Sequence, residues 1–536
     1  MSHQHRVLIV GAGPCGLMTA CELRRRGIDA AVVDAAEKPQ RGSRAILLWP
    51  PSLRLYRDLG ILPEAERRGV TIRALSYYLG PGRTLRVPLP PTMAPLILPQ
   101  EATDELLDAE LRRLGGSVEW GAALSSLEAA GDEVRVELRR ADGNTEGTIE
   151  HRRTDWLIGA DGFRSTTRDK LGIEFIGARL PTTFLLAEGR LTGDYDREAV
   201  CYYLSRTGVV LVAPLPGGKV RISGPLPAGS EVTDDTAQRM LDERAPGGLR
   251  VTDLTLNTTF TSHERIAARM RVGRCFLVGD AAHTHSVVGG QGLNLGFGDA
   301  RNLAWKLSGV LDGRLDPKIL DSYDVERRAA AEQVVRVTGR MARQAVLSPF
   351  ASWMRNTLFS TAHRLGVLAR KLPPLYAGWS IRYPQTLIGP SPGGRAGFLP
   401  PAGAHSPDWT IEHGANGPNG TNGLSGTNGT NGTSGTSGTN GTNGLSGLNG
   451  LNGLNVKDRF DLVTIGPADT PERAEAAAFA VRHGALVSHR HVVAGKQGFL
   501  LLRPDGFVAA SGRRGDLRWL ADAFATLAVS NKETHR

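Results

Sequence analysis

Hydrophobic and polar positions follow three different rhythms along the chain. The first is strand-then-helix. Val7 to Val10 is an unbroken apolar run, as expected of a strand buried on both faces of a parallel sheet, and Pro14 to Arg26 then takes a helical pattern closed by Gly27. A second apolar run, Ala30 to Val33, ends in Asp34. Ser52 to Leu59 reads as a helix burying Leu53, Leu55, Tyr56 and Leu59. Leu98 to Gly115 spaces Leu106, Leu107 and Leu111 helically, with Thr103 as a candidate N-cap. Trp156 to Ile158 is a strand running into Gly159-Ala160-Asp161-Gly162, with a helix expected over Ser165 to Leu171. The same rhythm returns late. Arg274 to Val278 is a buried strand, Gly289, Gly290 and Gly292 precede a helix from about Leu293 to Leu311, and Arg327 to Gln344 is a further helix.

The second rhythm runs from about Phe175 to Phe260. Runs such as AVCYYLS and GVVLVAPLPGGKVRISG read as strands separated by turn residues, with one helix over Asp234 to Arg244, so an antiparallel sheet is expected as a second lobe. Ala74 to Leu89 reads as a hairpin turning at Gly80-Pro81-Gly82. Tyr202 and Tyr203 are consecutive on one strand, so alternation lets only one face a substrate; Tyr202 is the candidate, and plain core is the alternative for either.

The third rhythm is a glycine at every third position from Gly414 to Gly453, fourteen times without a break. Pro418 is the only proline there, so a flexible tether is expected rather than a triple helix, with a reach on the order of 35 Å. Its four Asn-Gly-Thr triplets, beginning at Asn419, Asn428, Asn431 and Asn440, would matter only in a secreted protein. Beyond it, FDLVTIG, a helix near Pro471 to His483, ALVSHRHVV, FLLLRPDGFVAASG and a last helix near Asp516 to Val529 suggest a small α/β domain. The expected boundaries are a nucleotide-binding domain in two parts, 1–174 and 266–404, an inserted sheet lobe 175–265, a linker 405–455 and a final domain 456–536.

Composition narrows the function classes. Lys and Arg number 64 against 54 Asp and Glu, a net +10. The bases are scattered rather than interleaved with aromatics, and Arg24, Arg25 and Arg26 are assigned to solvent faces, so no nucleic-acid partner is expected. The chain shows no signal-peptide form and no run of about eighteen apolar residues, so no membrane partner is expected. Four cysteines without Cys-x-x-Cys spacing suit reduced thiols and a cytoplasmic location.

The chemistry concentrates in the first rhythm. Gly11, Gly13 and Gly16 have G-x-G-x-x-G spacing between a strand and a helix. Gly11 permits the tight turn, Gly13 lets backbone approach a pyrophosphate, and Gly16 lets helix and strand pack closely; the helix N-terminus then faces the phosphates. Asp34, about twenty residues on, suits an adenosine ribose and would repel a 2′-phosphate, so a bound dinucleotide other than NADP is expected. His283 and His285 lack a third ligand cluster, and hydrogen bonding is expected of them rather than metal binding.

GAGPCG, GADGFRS and LVGDAAHTHSVVGGQGLN, in that order, resemble the three motifs of the class A flavoprotein monooxygenases of the p-hydroxybenzoate hydroxylase fold. The likeness covers roughly residues 5–400, and the tail resembles the thioredoxin-like domain of the phenol and aromatic-polyketide hydroxylases, without its Cys-x-x-Cys. The resemblance implies an α/β fold: a Rossmann-like FAD-binding domain, an inserted antiparallel-sheet substrate lobe and a C-terminal thioredoxin-like domain. It implies FAD as cofactor and NADPH or NADH as co-substrate. Asp34 would bind the adenosine ribose, Gln100 and Asp161 would lie near the pyrophosphate and ribityl chain, and Asp280 would hold a ribityl hydroxyl. Arg44 would sit near FAD and the nicotinamide nucleotide. Gly292, Leu293 and Asn294 would turn backbone amides toward the flavin's N1–C2=O edge, where reduced flavin is anionic. The implied reaction passes oxygen from a flavin C4a-hydroperoxide to an electron-rich ring, with a small phenolic or polyketide substrate and O2. A Baeyer–Villiger reaction on a polycyclic ketone and a flavin-binding module without turnover are the alternatives, and a homodimer stays open. The chain departs from the pattern at Ser286-Val287-Val288, where many members carry proline, and at Trp49-Pro50-Pro51.

Overall fold

A computed structural model describes residues 3–39, 45–80, 83–140, 148–205, 208–227, 229–286, 289–344, 347–384, 387–388, 391, 393–394, 397, 399–406, 459–467, 469–493, 497–513 and 517–528. The chain forms two compact units, residues 1–389 with 403–405 and 523–536, and residues 390–402 with 406–522.

The first unit is built on β1 (His3–Val10), α1 (Pro14–Arg24), β2 (Ala30–Val33), α2 (Pro50–Leu59), α3 (Gln100–Arg113), β3 (Thr148–Gly159), β4 (Cys275–Leu277) and α4 (Gly292–Leu311). One sheet orders its parallel strands β4-β3-β1-β2, followed by the short strand Val118–Glu119. Burial on both faces accounts for the unbroken apolar runs: Val7, Ile9, Val32 and Val33 have no exposed surface. Helix α1 stops two residues before the expected Arg26, and Gly27 turns the chain at φ +81°.

Arg24, Arg25 and Arg26 correct the reading of a solvated basic face. Glu22 is fully buried, and Arg25 and Arg26 pair with it at 2.6 and 2.9 Å while keeping 5% and 1% of their own side chains exposed. Arg24 donates to the carbonyls of Ala30 and Gly115. A carboxylate inside the protein needs such partners, so these arginines belong to the fold. Helix α3 also begins differently from expectation. Pro99 occupies the N-cap position, and Thr103 is buried inside the first turn. In α2, Pro50 and Pro51 open the helix, where their missing N–H groups cost nothing.

The second sheet has eight strands in the order His283–Thr284, Arg250–Ala267, Phe175–Thr192, Lys219–Leu226, Val209–Leu215, Ala199–Leu204, Ala74–Tyr78, Thr84–Pro88. All its joints are antiparallel except that between Ala199–Leu204 and Ala74–Tyr78, which is parallel and joins the upstream Ala74–Pro88 hairpin to the lobe. Alternation divides strand Ala199–Leu204. Val200, Tyr202 and Leu204 join a cluster with Trp49, Tyr77 and Tyr376, whereas Ala199, Cys201 and Tyr203 pack against Met240 and Leu241 of helix Thr236–Arg244. After α4 come α5 (Asp321–Gln344), α6 (Pro349–Arg364) and α7 (Val367–Tyr376).

The second unit holds a four-stranded sheet ordered Val487–Val493, Phe460–Gly466, Gly498–Leu502, Val508–Gly512. The first pair is parallel with α8 (Pro471–Arg482) between its strands, the other joints are antiparallel, and α9 (Leu517–Ala525) begins in this unit. The Gly-x-y segment lies outside the described residues.

Candidate cofactor and substrate site

The carboxyl ends of four parallel strands converge. Gly11 follows β1, Asp34 follows β2, Asp161 lies two residues beyond β3, and Asp280 lies three beyond β4. Ligands collect at such ends in open α/β sheets, because each strand delivers one loop to the same rim. Gly11 has φ +105°, and a Cβ there would overlap the Ala160 carbonyl; a Cβ on Gly16 would overlap the carbonyl of Gly11. Gly13 differs, since the direction of its missing Cβ is open. It is also the N-cap of α1, which has neither a capping side chain nor an acidic first-turn residue. Free amides and the positive dipole end therefore face that space.

Each acid has a distinct job. Asp34 accepts from the Ala12 and Ala36 amides at 2.7 and 2.8 Å, tying the glycine turn to the end of β2. The Asp161 carboxylate accepts from Ser165 Oγ at 2.6 Å and from the amide and hydroxyl of Thr167 at 2.8 and 3.0 Å, so it organises its own loop. Asp280 is exposed at the rim. Gln100 opens α3 and accepts the Ala45 amide at 3.4 Å, which ties down the chain beside Arg44; Arg44 itself lies outside the described residues. Asp104, one turn on, is pushed up to about 7 by burial, against the opposing pull of its Gln100 hydrogen bond.

Helix α4 meets α1 through small residues. Cys15 Sγ occupies the space that side chains on Gly279 and Gly296 would need. The α4 N-terminus likewise has no capping side chain and no acid in its first turn, so the amides of Gly292 to Asn294 stand at a positive helix end. Asn294's side chain is committed elsewhere. Its Oδ1 accepts from the Trp49 amide at 2.8 Å and Ser52 Oγ at 2.7 Å, while Nδ2 donates to the Leu47 and Gly290 carbonyls. Beneath lies a buried network. Asp299 accepts from the Gly279 amide and pairs with His283 Nε2 and Arg327 Nε at 2.7 and 2.6 Å. Burial alone would push its carboxyl up, but His283 and Arg327 hold it below the usual range. Arg327 also donates to the Leu295 carbonyl, so this network fixes the turn at Gly279-Asp280 and the first turn of α4 together.

His285 stands beside Gly292. Burial pushes its imidazole down to about 4, so it is neutral at physiological pH. Nδ1 lies 2.7 Å from the Ser286 carbonyl and must donate to it, which leaves Nε2 as an acceptor; that atom is buried and has no partner among the described residues.

On the far side of this loop is an aromatic cluster, of which Tyr202 is the one member expected from sequence to face a substrate. Trp49 Nε1 donates to the Gly289 carbonyl at 3.1 Å, and its ring stacks on Tyr376. Tyr77 stacks on Tyr202 with centroids 5.1 Å apart, and its hydroxyl lies 3.3 Å from that of Tyr376, which the Tyr202 hydroxyl also meets. Burial and then the neighbouring phenols push Tyr77 and Tyr202 well above the ordinary tyrosine value. The three hydroxyls therefore stay protonated and can both donate and accept.

The sequence profile of the FAD binding domain family matches residues 4–338, more than half of the chain. The chain belongs to the FAD-dependent class A aromatic monooxygenases. It is 35% identical over 373 residues to 6-methylpretetramide 4-monooxygenase of Streptomyces rimosus, covering 68% of this chain and 65% of that protein. Over 417 residues it is 31% identical to the 12-dehydrotetracycline 5-monooxygenase/anhydrotetracycline 6-monooxygenase of Streptomyces rimosus subsp. rimosus, covering 74% and 81%. Among solved structures, the anhydrotetracycline hydroxylase of Streptomyces rimosus superposes with a TM-score of 0.70 at 27% identity, over 98% of this chain and 99% of that one. Residues 411–457 also match the collagen triple helix repeat, which shares their glycine period.

FAD is the cofactor of this family, and the residues of the monooxygenase fit it. Two uncapped helix N-termini suit a pyrophosphate and an anionic ring edge, the open direction at Gly13 admits a phosphate, and the unpartnered His285 Nε2 can accept a hydrogen bond from a ring N–H. Among the described residues, no group of three or more His, Cys, Asp or Glu could hold a metal ion.

Proposed function

We propose that this monooxygenase hydroxylates a polycyclic phenolic substrate, with NADPH or NADH as reductant. Bound FAD supplies the electron relay and the activation of O2. The chain's own residues do the rest. The Gly11–Gly16 turn and the α1 N-terminus receive the pyrophosphate, Asp34 the adenosine ribose, Gln100, Asp161 and Asp280 the rim of the ribityl chain, and Gly292 to Asn294 the polar edge of the ring. By the family resemblance, Arg44 would act near FAD and the nicotinamide nucleotide. Trp49, Tyr77, Tyr202 and Tyr376 receive the substrate ring, and their neutral phenols hydrogen-bond its hydroxyl or carbonyl oxygens.

One observation carries this reading: the uncapped start of α4 lies between the converged strand ends and the tyrosine cluster. The tetracycline-pathway names of the relatives support a polycyclic aromatic substrate. The parallel pair bridged by α8, followed by an antiparallel hairpin and a helix, supports a thioredoxin-like reading of the second unit. Four free cysteines support the reducing cytoplasm. The test is to purify the FAD-loaded protein and screen polycyclic phenols for faster NAD(P)H oxidation. A product whose NMR spectrum shows a new ring hydroxyl supports the reading; an oxygen inserted into an expanded ring, or no stimulated oxidation, overturns it.

A further inference from the structure

We infer that the outward face of α6 and the start of α7 dock the protein on an anionic membrane surface. The two sides of α6 are built for different neighbours. Inward, Ser352 and Arg355 are buried, Phe359 meets Tyr77 edge-on at 5.6 Å, and Asn356 Nδ2 donates to the Leu79 carbonyl. Outward, Phe350, Trp353, Met354 and Leu358 are 71%, 56%, 47% and 63% exposed, and Leu365 and Val367 continue the stripe. Their spacing of three, four and eight residues puts them on one helix face, where Phe350 and Trp353 stack at 6.0 Å. A helix whose solvent side carries its largest apolar groups is a surface awaiting a partner.

Charge selects the partner. From Gln333 to Pro407 the chain contains no aspartate or glutamate, while Arg364, Arg370 and Lys371 are exposed next to the stripe. Two copies meeting through this face would bring together cations without a carboxylate from either segment to offset them. A helix carrying tryptophan, phenylalanine and methionine in line, flanked by long basic side chains, matches a helix lying in a lipid interface. There the apolar groups enter the acyl boundary and the bases meet headgroup phosphates. No described helix is long and apolar enough to cross a membrane, so the association is one of lying on the surface. This assignment does not depend on the substrate proposed above.

The test uses the full-length FAD-loaded protein in flotation with vesicles of phosphatidylcholine alone or mixed equally with phosphatidylglycerol. Binding is expected on the mixed vesicles, weakening as salt is added. Phe350→Ser with Trp353→Ser should lower partitioning about tenfold. Arg364→Gln and Lys371→Gln should each lower it about fivefold. The solvent-facing variants should retain their flavin spectrum. No binding at low salt, or binding unaffected by the double serine variant, overturns the inference. So does a dimer in light scattering that the double variant dissociates without any vesicle binding, or salt-sensitive capture by poly-glutamate in place of vesicles.

Discussion

The two sides of the loop before α4 are built from different materials. On the cofactor side the working groups are backbone: glycines at strand ends, uncapped helix amides, and carboxylates that brace turns. On the aromatic side they are side chains brought from Trp49, Tyr77, Tyr202 and Tyr376, which come from four separate stretches of the chain. A backbone site tolerates almost no change of shape, whereas a side-chain site can be retuned one group at a time. One scaffold can thus keep a fixed cofactor while its substrate surface varies.

This contrast ranks the expected effects. Gly16→Ala should be the most damaging, because the new methyl overlaps the Gly11 carbonyl; soluble yield and FAD per chain should both collapse, with a loss exceeding about 4 kcal/mol. Asp299→Asn removes one partner from buried Arg327 and His283 and should destabilise by about 3–5 kcal/mol, read as a lowered thermal midpoint together with weaker FAD retention. Tyr376→Phe should cost only about 1 kcal/mol and leave FAD binding unchanged, while altering substrate-stimulated NAD(P)H oxidation. If Tyr376→Phe instead releases FAD, the division between the two sides fails.

A fourth effect is set by pH. His285 has its folded value depressed to about 4 from an unfolded value near 6.5, so the unfolded chain binds the proton more readily. Its contribution to stability is present above about 6.5 and is lost as pH falls toward about 4. The thermal midpoint of the wild type should decline through that window, and His285→Gln should flatten part of the decline.

The same contrast explains what the sequence revealed. Backbone sites leave local marks, so Gly11, Gly13, Gly16 and the apolar runs ending at Val10 and Val33 announced the strands and helix around them. Tyr77 and Tyr376 left no such mark, since nothing in a hairpin or a proline-rich stretch shows that two distant phenols meet. Asp299 is absent from the residues expected from sequence for a related reason. It lies inside α4 among Phe297, Ala300 and Leu303, and an acid on that apolar face was the available clue to a buried partner. Arg25 and Arg26 misled because helical periodicity did not show that Glu22 beside them would be enclosed. No element is assigned from sequence to residues 349–376, so only the fold shows that α6 exists and which of its sides Trp353 and its neighbours occupy.

The central claim is that FAD is held at the converged strand ends by backbone approach at Gly13. Gly13→Val separates binding from folding, because φ −69° suits a β-branched residue and its Cβ direction is open. The decisive measurement is the FAD dissociation constant of Gly13→Val alongside the thermal midpoint of its apoprotein. The account predicts an unchanged midpoint with FAD affinity weakened at least about tenfold; wild-type affinity in the valine variant would contradict it.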